Sequence, residues 1–374
     1  MDMVTFLKIF KTFLFLGIST IIISFTSLSD ARAAGADARH KQIVKCVENN
    51  YPARTYMTNH LLPWPNTPWV KMDCKKKDKI RVGMPWVLND EEAPWYNAIE
   101  KGFYSDVCLD VELVGGGPGK NHVMTLAGGA VDIAVSAAGS RVFSLSYSKT
   151  PAKVVAIGAF LKHMPYVWLG LDHDIPKNQR SNKKLKPRDF IGKRIGIQGG
   201  DDYLFDYMAN KHNIPKDKVE IMAGGFTPDP VLVGSMDYIG AWIVNQPRLL
   251  EEKGYMNWVA FPFSDWGLDG YSDVSVARQE TVDNNPDMLK RYLAATHQGL
   301  KFLLENPDES AEIAVKYGVD AQLTKKQALR RFELQEALVS DGPNDILMEM
   351  KAERWNDTLA NFIEYKQIEL KNCK

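Results

Sequence analysis

From residue 79 onward the chain alternates between short β-branched runs and helical stretches, and it does so twice. The first series is "KIRVGM", "LDVELV", "VDIAVS", "KVVAIGAF" and "VWLGL", with helical segments expected at 94–101, 121–127 and 140–147. After the polar link "PKNQRSNKKLKPRDF" a second series runs "RIGIQ", a helix near 203–212, "VEIMAG", "YIGAWIV", a helix at 247–253, and "WVAFPF". Strands separated by helices predict a mostly parallel sheet covered on both faces. Two such series predict two doubly wound α/β lobes. In open α/β sheets ligands sit outside the carboxyl ends of the strands, so two facing lobes would set two such edges around one cleft.

After "DVSVAR" the strand signals stop. Residues 286–305, 307–317, 324–338 and 351–366 read as amphipathic helices, with Asn306-Pro307 as a break and Thr324 as an N-cap. A chain that leaves the first lobe, builds the second and returns predicts hinges near 172–184 and 263–272. Lobe I would then comprise 79–175 and 273–374, and lobe II 176–272.

The first residues bear on compartment. Lys8 and Lys11 precede an uncharged apolar run at 12–29, followed by Ala31-Arg32-Ala33. That is the layout of a cleavable secretory signal peptide over residues 1–33, cut between Ala33 and Ala34. A periplasmic product is expected. The 46 basic and 46 acidic residues balance, and losing Lys8, Lys11, Arg32, Asp2 and Asp30 would leave about −1. Nucleic-acid binding would need a basic surplus or stripe, so no nucleic-acid partner is expected.

Cys46, Cys74, Cys108 and Cys373 are an even set with no C-x-x-C spacing, which argues against zinc and for disulfides in an exported chain. Three connectivities are possible. Cys46–Cys74 is favoured because it would close the N-terminal segment, leaving Cys108–Cys373 by elimination. Residues 34–78 read as a proline-rich extension, not a core element, since Pro52, Pro63, Pro65 and Pro68 interrupt helix and central strand alike.

Several ordered motifs carry a resemblance. They are "AIEKGFY" after the first strand, "LAGGAVDIAVS" around the third, "FIGKRIGIQGG" opening the second series, a strand ending Val-Ala-Arg, and "ENPDESAEI". Together they resemble the solute-binding proteins of ABC importers, in the SsuA/ThiY-like branch that takes sulfonates, taurine, nitrate and thiamine-pyrimidine precursors. The resemblance covers roughly residues 79–365 and implies a two-lobed periplasmic-binding-protein fold with two hinge crossings and a C-terminal helical segment. Residues 40–77 have no counterpart in it. It also settles how to read "VGGGPGKN" at 114–121. A P-loop would need glycine at Val114 and a hydroxyl residue at Asn121. The resemblance implies instead a ligand-facing loop with Gly117 and Asn121.

Candidate ligand-binding residues follow from strand ends. "MPWVLNDEEAPW" places Trp86, Asn89, Asp90 and Trp95 on the first cleft loop, where aromatic faces stack flat heterocycles and Asn or Asp edges bond amines and ring nitrogens. Ser136 ends a strand before a small-residue turn, and no G-x-S-x-G surrounds it. "KHMPYVW" presents His163 and Tyr166. In lobe II, Gly200 and Asp201 open a helix, Trp242 and Asn245 follow a strand, and Asp265, Trp266 and Tyr271 lie by the return hinge. Acidic residues at these positions favour a neutral or cationic ligand, while Lys120, His122 and Lys162 could pair with an anion.

The expected function is capture of a small polar heteroaromatic nutrient, of the aminopyrimidine or thiamine-precursor kind, for delivery to an inner-membrane permease. The alternative within the class is an alkanesulfonate, taurine or nitrate binder, which should show convergent Arg or Lys. The alternative outside it is a pyrimidine-precursor synthase-like enzyme. Such synthases resemble the same fold but carry clustered cysteines, whereas this chain scatters them. No enzyme activity, cofactor or metal is expected, and a monomer is.

Overall fold

The computed structural model describes residues 37–63, 68–117, 120, 122–198, 202–318, 323–365 and 368–373. The signal segment, Asn121, Gly200 and Asp201 lie outside the described residues. Among the described residues, ten strands form two five-stranded sheets. The first uses β1 (Asp78–Gly83), β2 (Leu109–Val114), β3 (Ile133–Ser136), β4 (Val154–Leu161) and β10 (Ser272–Arg278), in the order β2-β1-β3-β10-β4. The second uses β5 (Tyr166–Leu171), β6 (Arg194–Ile197), β7 (Glu220–Ala223), β8 (Tyr238–Trp242) and β9 (Trp258–Pro262), in the order β7-β6-β8-β5-β9.

Each sheet is parallel except for one strand. β10 runs antiparallel to β3 and β4, and β5 antiparallel to β8 and β9. These are the two strands entered from the other lobe. A chain that leaves a sheet at the carboxyl ends of its strands arrives at the next sheet from the cleft side, and so runs against its new neighbours. β4 is buried along its whole length, which explains its unbroken apolar run.

The outward crossing is short, residues 162–165 between β4 and β5; the return is 263–271. The sequence placed the first crossing near 172–184 and kept β5 in lobe I. The structure corrects this: β5 pairs Val167 with Ala241 and with Pro262 inside the second sheet. The polar stretch 176–190 is therefore an excursion within lobe II.

Helices Pro286–Glu305 and Pro307–Tyr317 each begin on a proline, and Thr324 caps Lys325–Val339 through a capping box with Gln327. The last helix, Ala352–Glu364, carries Trp355, Leu359 and Phe362 into the lobe I core. The helical tail touches both lobes. Arg330 binds Glu251 of lobe II at 2.8 Å, and Tyr203 and Tyr207 of lobe II pack on Phe362 and Tyr365.

The N-terminal segment is not the coreless extension expected. Residues 37–50 are helical, and Ile43 and Val47 are buried with Trp355 and Leu359 in one cluster. The prolines begin only at Pro52, so they limit the segment after the helix, not the helix itself. Beyond it the chain covers the free edge of β4: the Thr58 amide donates to the Ala156 carbonyl and the Ala156 amide to the Tyr56 carbonyl, both at 2.9 Å. Covering an edge strand removes a template for unwanted pairing.

The disulfides also differ from the expectation. Cys46 bonds Cys373 and Cys74 bonds Cys108, with Cα separations of 5.7 and 5.3 Å. The N-terminal helix lies beside the C-terminal helix, so Cys46 meets the chain end and not Cys74. Cys74 sits next to the residue that leads into β2.

Candidate functional site

A cleft of about 680 Å³ opens between the lobes, within the range of small-molecule sites. Its lobe I wall begins just after β1, where Pro85 and Trp86 enter the loop. The glycine-rich loop after β2 packs its backbone against this turn. The Gly116 amide donates to the Trp86 carbonyl at 2.7 Å, and a Cβ at Gly116 would sit 2.5 Å from the Met84 carbonyl oxygen. Gly117 lines the cleft with φ +137°, a conformation that favours glycine. The glycines are thus needed for close backbone approach.

Across the cleft, Phe226 of lobe II faces Trp86, with ring centroids 5.1 Å apart and planes inclined at 51°. Gln246 holds Phe226 in place: its side-chain amide donates to the Phe226 carbonyl at 3.1 Å, while its oxygen accepts from the Trp242 amide at 2.8 Å. Tyr166 folds over β8, where a Cβ at Gly240 would collide with its hydroxyl. Trp242, Tyr166 and Tyr271 complete an aromatic lining. Tyr271 is fixed by its hydroxyl, which accepts from the Lys351 amide at 2.6 Å, and burial pushes that phenol up to about 12. Asn245 lines the cleft while its oxygen accepts from Arg248 Nη2 at 3.1 Å. The final helix closes another side with Thr358 and Phe362.

Six of the sequence candidates therefore meet at the cleft: Trp86, Gly117, Tyr166, Trp242, Asn245 and Tyr271. Six others lie elsewhere. Asn89 caps the short helical turn Asp90–Glu92, accepting from the Glu91 amide at 2.8 Å. Asp90 is fully buried and bonds both Arg248 of lobe II and Arg331, the latter at 2.9 Å. Trp95 points to the core of lobe I, where its indole N–H donates to the Tyr292 hydroxyl at 2.9 Å. Ser136 is buried, and its hydroxyl donates to the Ala138 carbonyl at 2.8 Å. Asp265 is exposed, and Trp266 stacks on Phe261 at 5.4 Å within lobe II. None of these six is among the lining residues, a distinction that strand-end proximity does not encode.

Two of the three basic residues considered for an anion, His122 and Lys162, are committed to the loops and the hinge. Lys162 is buried against Asp345 at 2.5 Å. His163 bonds Asp269 at 2.7 Å and Asp341 at 3.1 Å, and the Asp269 bond raises its pKa. His122 contacts Thr125 and the Gly115 carbonyl. Among the described lining residues the cations are Lys120 and Arg141, both exposed at the rim.

Glu91, Phe226, Gln246, Thr358 and Phe362 also line the cleft and were not among the residues singled out from the sequence. Glu91 stands in the same string as Asp90, and only the turn Asp90–Glu92 decides which of them faces the cleft. Phe226, in the glycine- and proline-rich loop after β7, did carry a signal: an apolar ring in a polar loop at a strand's carboxyl end. Among the described residues no group of His, Cys, Asp and Glu is arranged to hold a metal, and no helix is long and apolar enough to cross a membrane.

Two mixed α/β lobes joined by two crossings around an aromatic cleft define the periplasmic-binding-protein fold. Residues 89–310 match the family model described as NMT1/THI5 like, and the chain belongs to that family. Among curated relatives, the formylaminopyrimidine-binding protein of Halalkalibacterium halodurans is 22% identical over 298 residues, spanning 77% of this chain and 86% of that protein. A putative thiamine biosynthesis protein of Haemophilus influenzae is 27% identical over 254 residues, spanning 64% of this chain and 74% of that one. Among solved structures, the periplasmic aliphatic sulphonate binding protein SsuA of Escherichia coli superposes with a TM-score of 0.58 at 14% identity, covering 79% of this chain and 95% of that one.

Proposed function

We propose that this chain is the solute-binding component of an ABC importer and that it captures a small polar heteroaromatic molecule of the aminopyrimidine class. The observation that carries the reading is the composition of the cleft: aromatic walls from both lobes, with Glu91 as the only carboxylate and no buried cation among the described lining residues. A sulfonate or nitrate would demand buried, unspent guanidinium or ammonium donors, because burying an anion without them is costly. The Arg248 charge is instead paired with Asp90 and the Lys162 charge with Asp345, and neither residue is among those lining the cleft. A flat ring laid against Trp86 and the other lining aromatics gains burial and stacking without any charge. The binding-protein relative for a formylaminopyrimidine supports the same class.

The protein works by binding and lobe closure, not by catalysis. It is exported with cleavage between Ala33 and Ala34, acts as a monomer, and presents both lobes to an inner-membrane permease. N-terminal sequencing of the exported protein checks the cleavage. A thermal-shift and calorimetry panel of 4-aminopyrimidines, riboflavin and alkanesulfonates tests the ligand class. A true ligand at 100 times its Kd adds about 2.7 kcal/mol of stability. Stabilisation by alkanesulfonates alone would overturn the heteroaromatic reading.

A further inference from the structure

The buried end of the cleft holds an unbalanced set of charges. Four carboxyls, Asp90, Glu91, Glu92 and Asp273, are 0, 8, 0 and 1% exposed, and they meet two guanidiniums, Arg248 and Arg331, at 7 and 2%. Some of these groups are satisfied by the protein. Asp90 takes bonds from both arginines, and Glu92 accepts from the Asn89 amide at 2.8 Å through one oxygen, while its Oε1 has no partner among the described residues. The other two carboxyls meet each other. Glu91 has Arg331 Nη1 at 3.5 Å on one side. Neither oxygen of Asp273 accepts from an amide, guanidinium or hydroxyl among the described residues; its hydrogen-bonding contact is the Glu91 carboxyl.

Two touching carboxyls in a buried place cannot both ionise cheaply, so they hold a proton between them. Burial, helped by the negative charge of Asp90, pushes the Glu91 carboxyl up, with Arg331 and the hydrogen bond from Asp273 pulling the other way. Burial and the neighbouring Glu91 and Glu92 push Asp273 up further. Glu91 also opens onto the aromatic cleft, an independent feature that already calls for a flat polar ligand. A carboxyl held this way offers a donor or acceptor beside an acceptor. The complementary group is a flat edge that pairs an N–H donor with an adjacent ring nitrogen.

We propose that Glu91 is the specificity-determining residue of the cleft and takes the N–C–N edge of an aminopyrimidine-type ring, with Asp273 and Arg331 behind it as positioning residues. The inference rests on the heteroaromatic reading above and adds to it the atoms that recognise the amine. A site built to hydrogen-bond a group rejects the analogue that lacks it, because the buried partner is then left unpaired.

The test compares two probes by calorimetry: 4-amino-5-hydroxymethyl-2-methylpyrimidine and the same ring with methyl in place of the amine. The native protein should prefer the amino probe by at least about thirtyfold. Glu91→Met should abolish that preference by weakening the amino probe alone. Glu91→Asp keeps the carboxyl group but withdraws it by one methylene, so it tests the same point if Glu91→Met does not fold. It should cost the amino probe at least about tenfold and leave the methyl probe unchanged. A soluble variant that keeps the native ratio of the two affinities, or loses both equally, would overturn the assignment of Glu91 while leaving the heteroaromatic reading intact. Native protein that binds neither probe but binds an alkanesulfonate would overturn both.

Discussion

Replacing Trp86 with alanine separates a ligand platform from a packing residue. Trp86 is half-buried in the described structure, and its one ring contact is across the cleft to Phe226, on the other lobe. A flat ligand covering about 40–60 Å² of the exposed indole would contribute about 1–1.5 kcal/mol at about 25 cal/mol per Å². Ring stacking adds about 0.5–1.5 kcal/mol. The sum of about 1.5–3 kcal/mol corresponds to a loss of about 10- to 150-fold in affinity. Stability without ligand should fall by less than about 1 kcal/mol, because the ring supports no core cluster and partly faces solvent. Calorimetry with the best heteroaromatic ligand measures the first quantity, and urea unfolding of the free protein the second. Unchanged affinity, combined with an apo loss above about 2 kcal/mol, would show that Trp86 supports the fold and does not meet the ligand.

Three further outcomes follow from the network around the cleft. Arg331→Met strips Asp90 and Glu91 of a buried counter-charge, so unfolding free energy should drop by about 3–5 kcal/mol; a drop below about 1 kcal/mol in urea titrations would mean the pair is dispensable. The two disulfides close sequence separations of 327 and 34 residues, which chain-entropy arguments put at about 6 and about 4 kcal/mol. Replacing Cys46 and Cys373 by serine should therefore lower the denaturant midpoint more than replacing Cys74 and Cys108, and the opposite order would sink the entropic account. His40 bonds Asp357 at 2.8 Å and Glu364 at 2.9 Å, and these bonds raise its pKa from 6.5 to about 9. A raised histidine contributes fully below about pH 6.5 and loses its contribution as pH climbs through about 9, on the order of 2 kcal/mol after solvent screening. His40→Gln should flatten that decline in midpoint between pH 6.5 and 9, and an unchanged slope would refute the assignment.

The sequence by itself determined what is written within a short window. Helix Pro286–Glu305, the break at Asn306-Pro307 and the cap at Thr324 all depend on neighbours within a turn or two. The alternation that predicts two α/β lobes is equally local, and so is the placement of Trp86 at a strand's carboxyl end. The tertiary structure decided whatever depends on distant partners. "VWLGL" is an apolar strand in either sheet, and only its pairing with β8 and β9 assigns it to lobe II. Four cysteines admit three pairings until the N-terminal helix is laid beside the last one and Cys46 reaches Cys373. Trp86 and Trp95 sit on one loop, yet one lines the cleft and the other binds Tyr292 in the core. Asp90 and Glu91 are adjacent in the chain, but a single short helical turn sends one to Arg248 and the other to the cleft. Periodicity fixes which face of an element is apolar; what that face, or the residue beside it, will meet is set by parts of the chain hundreds of residues away.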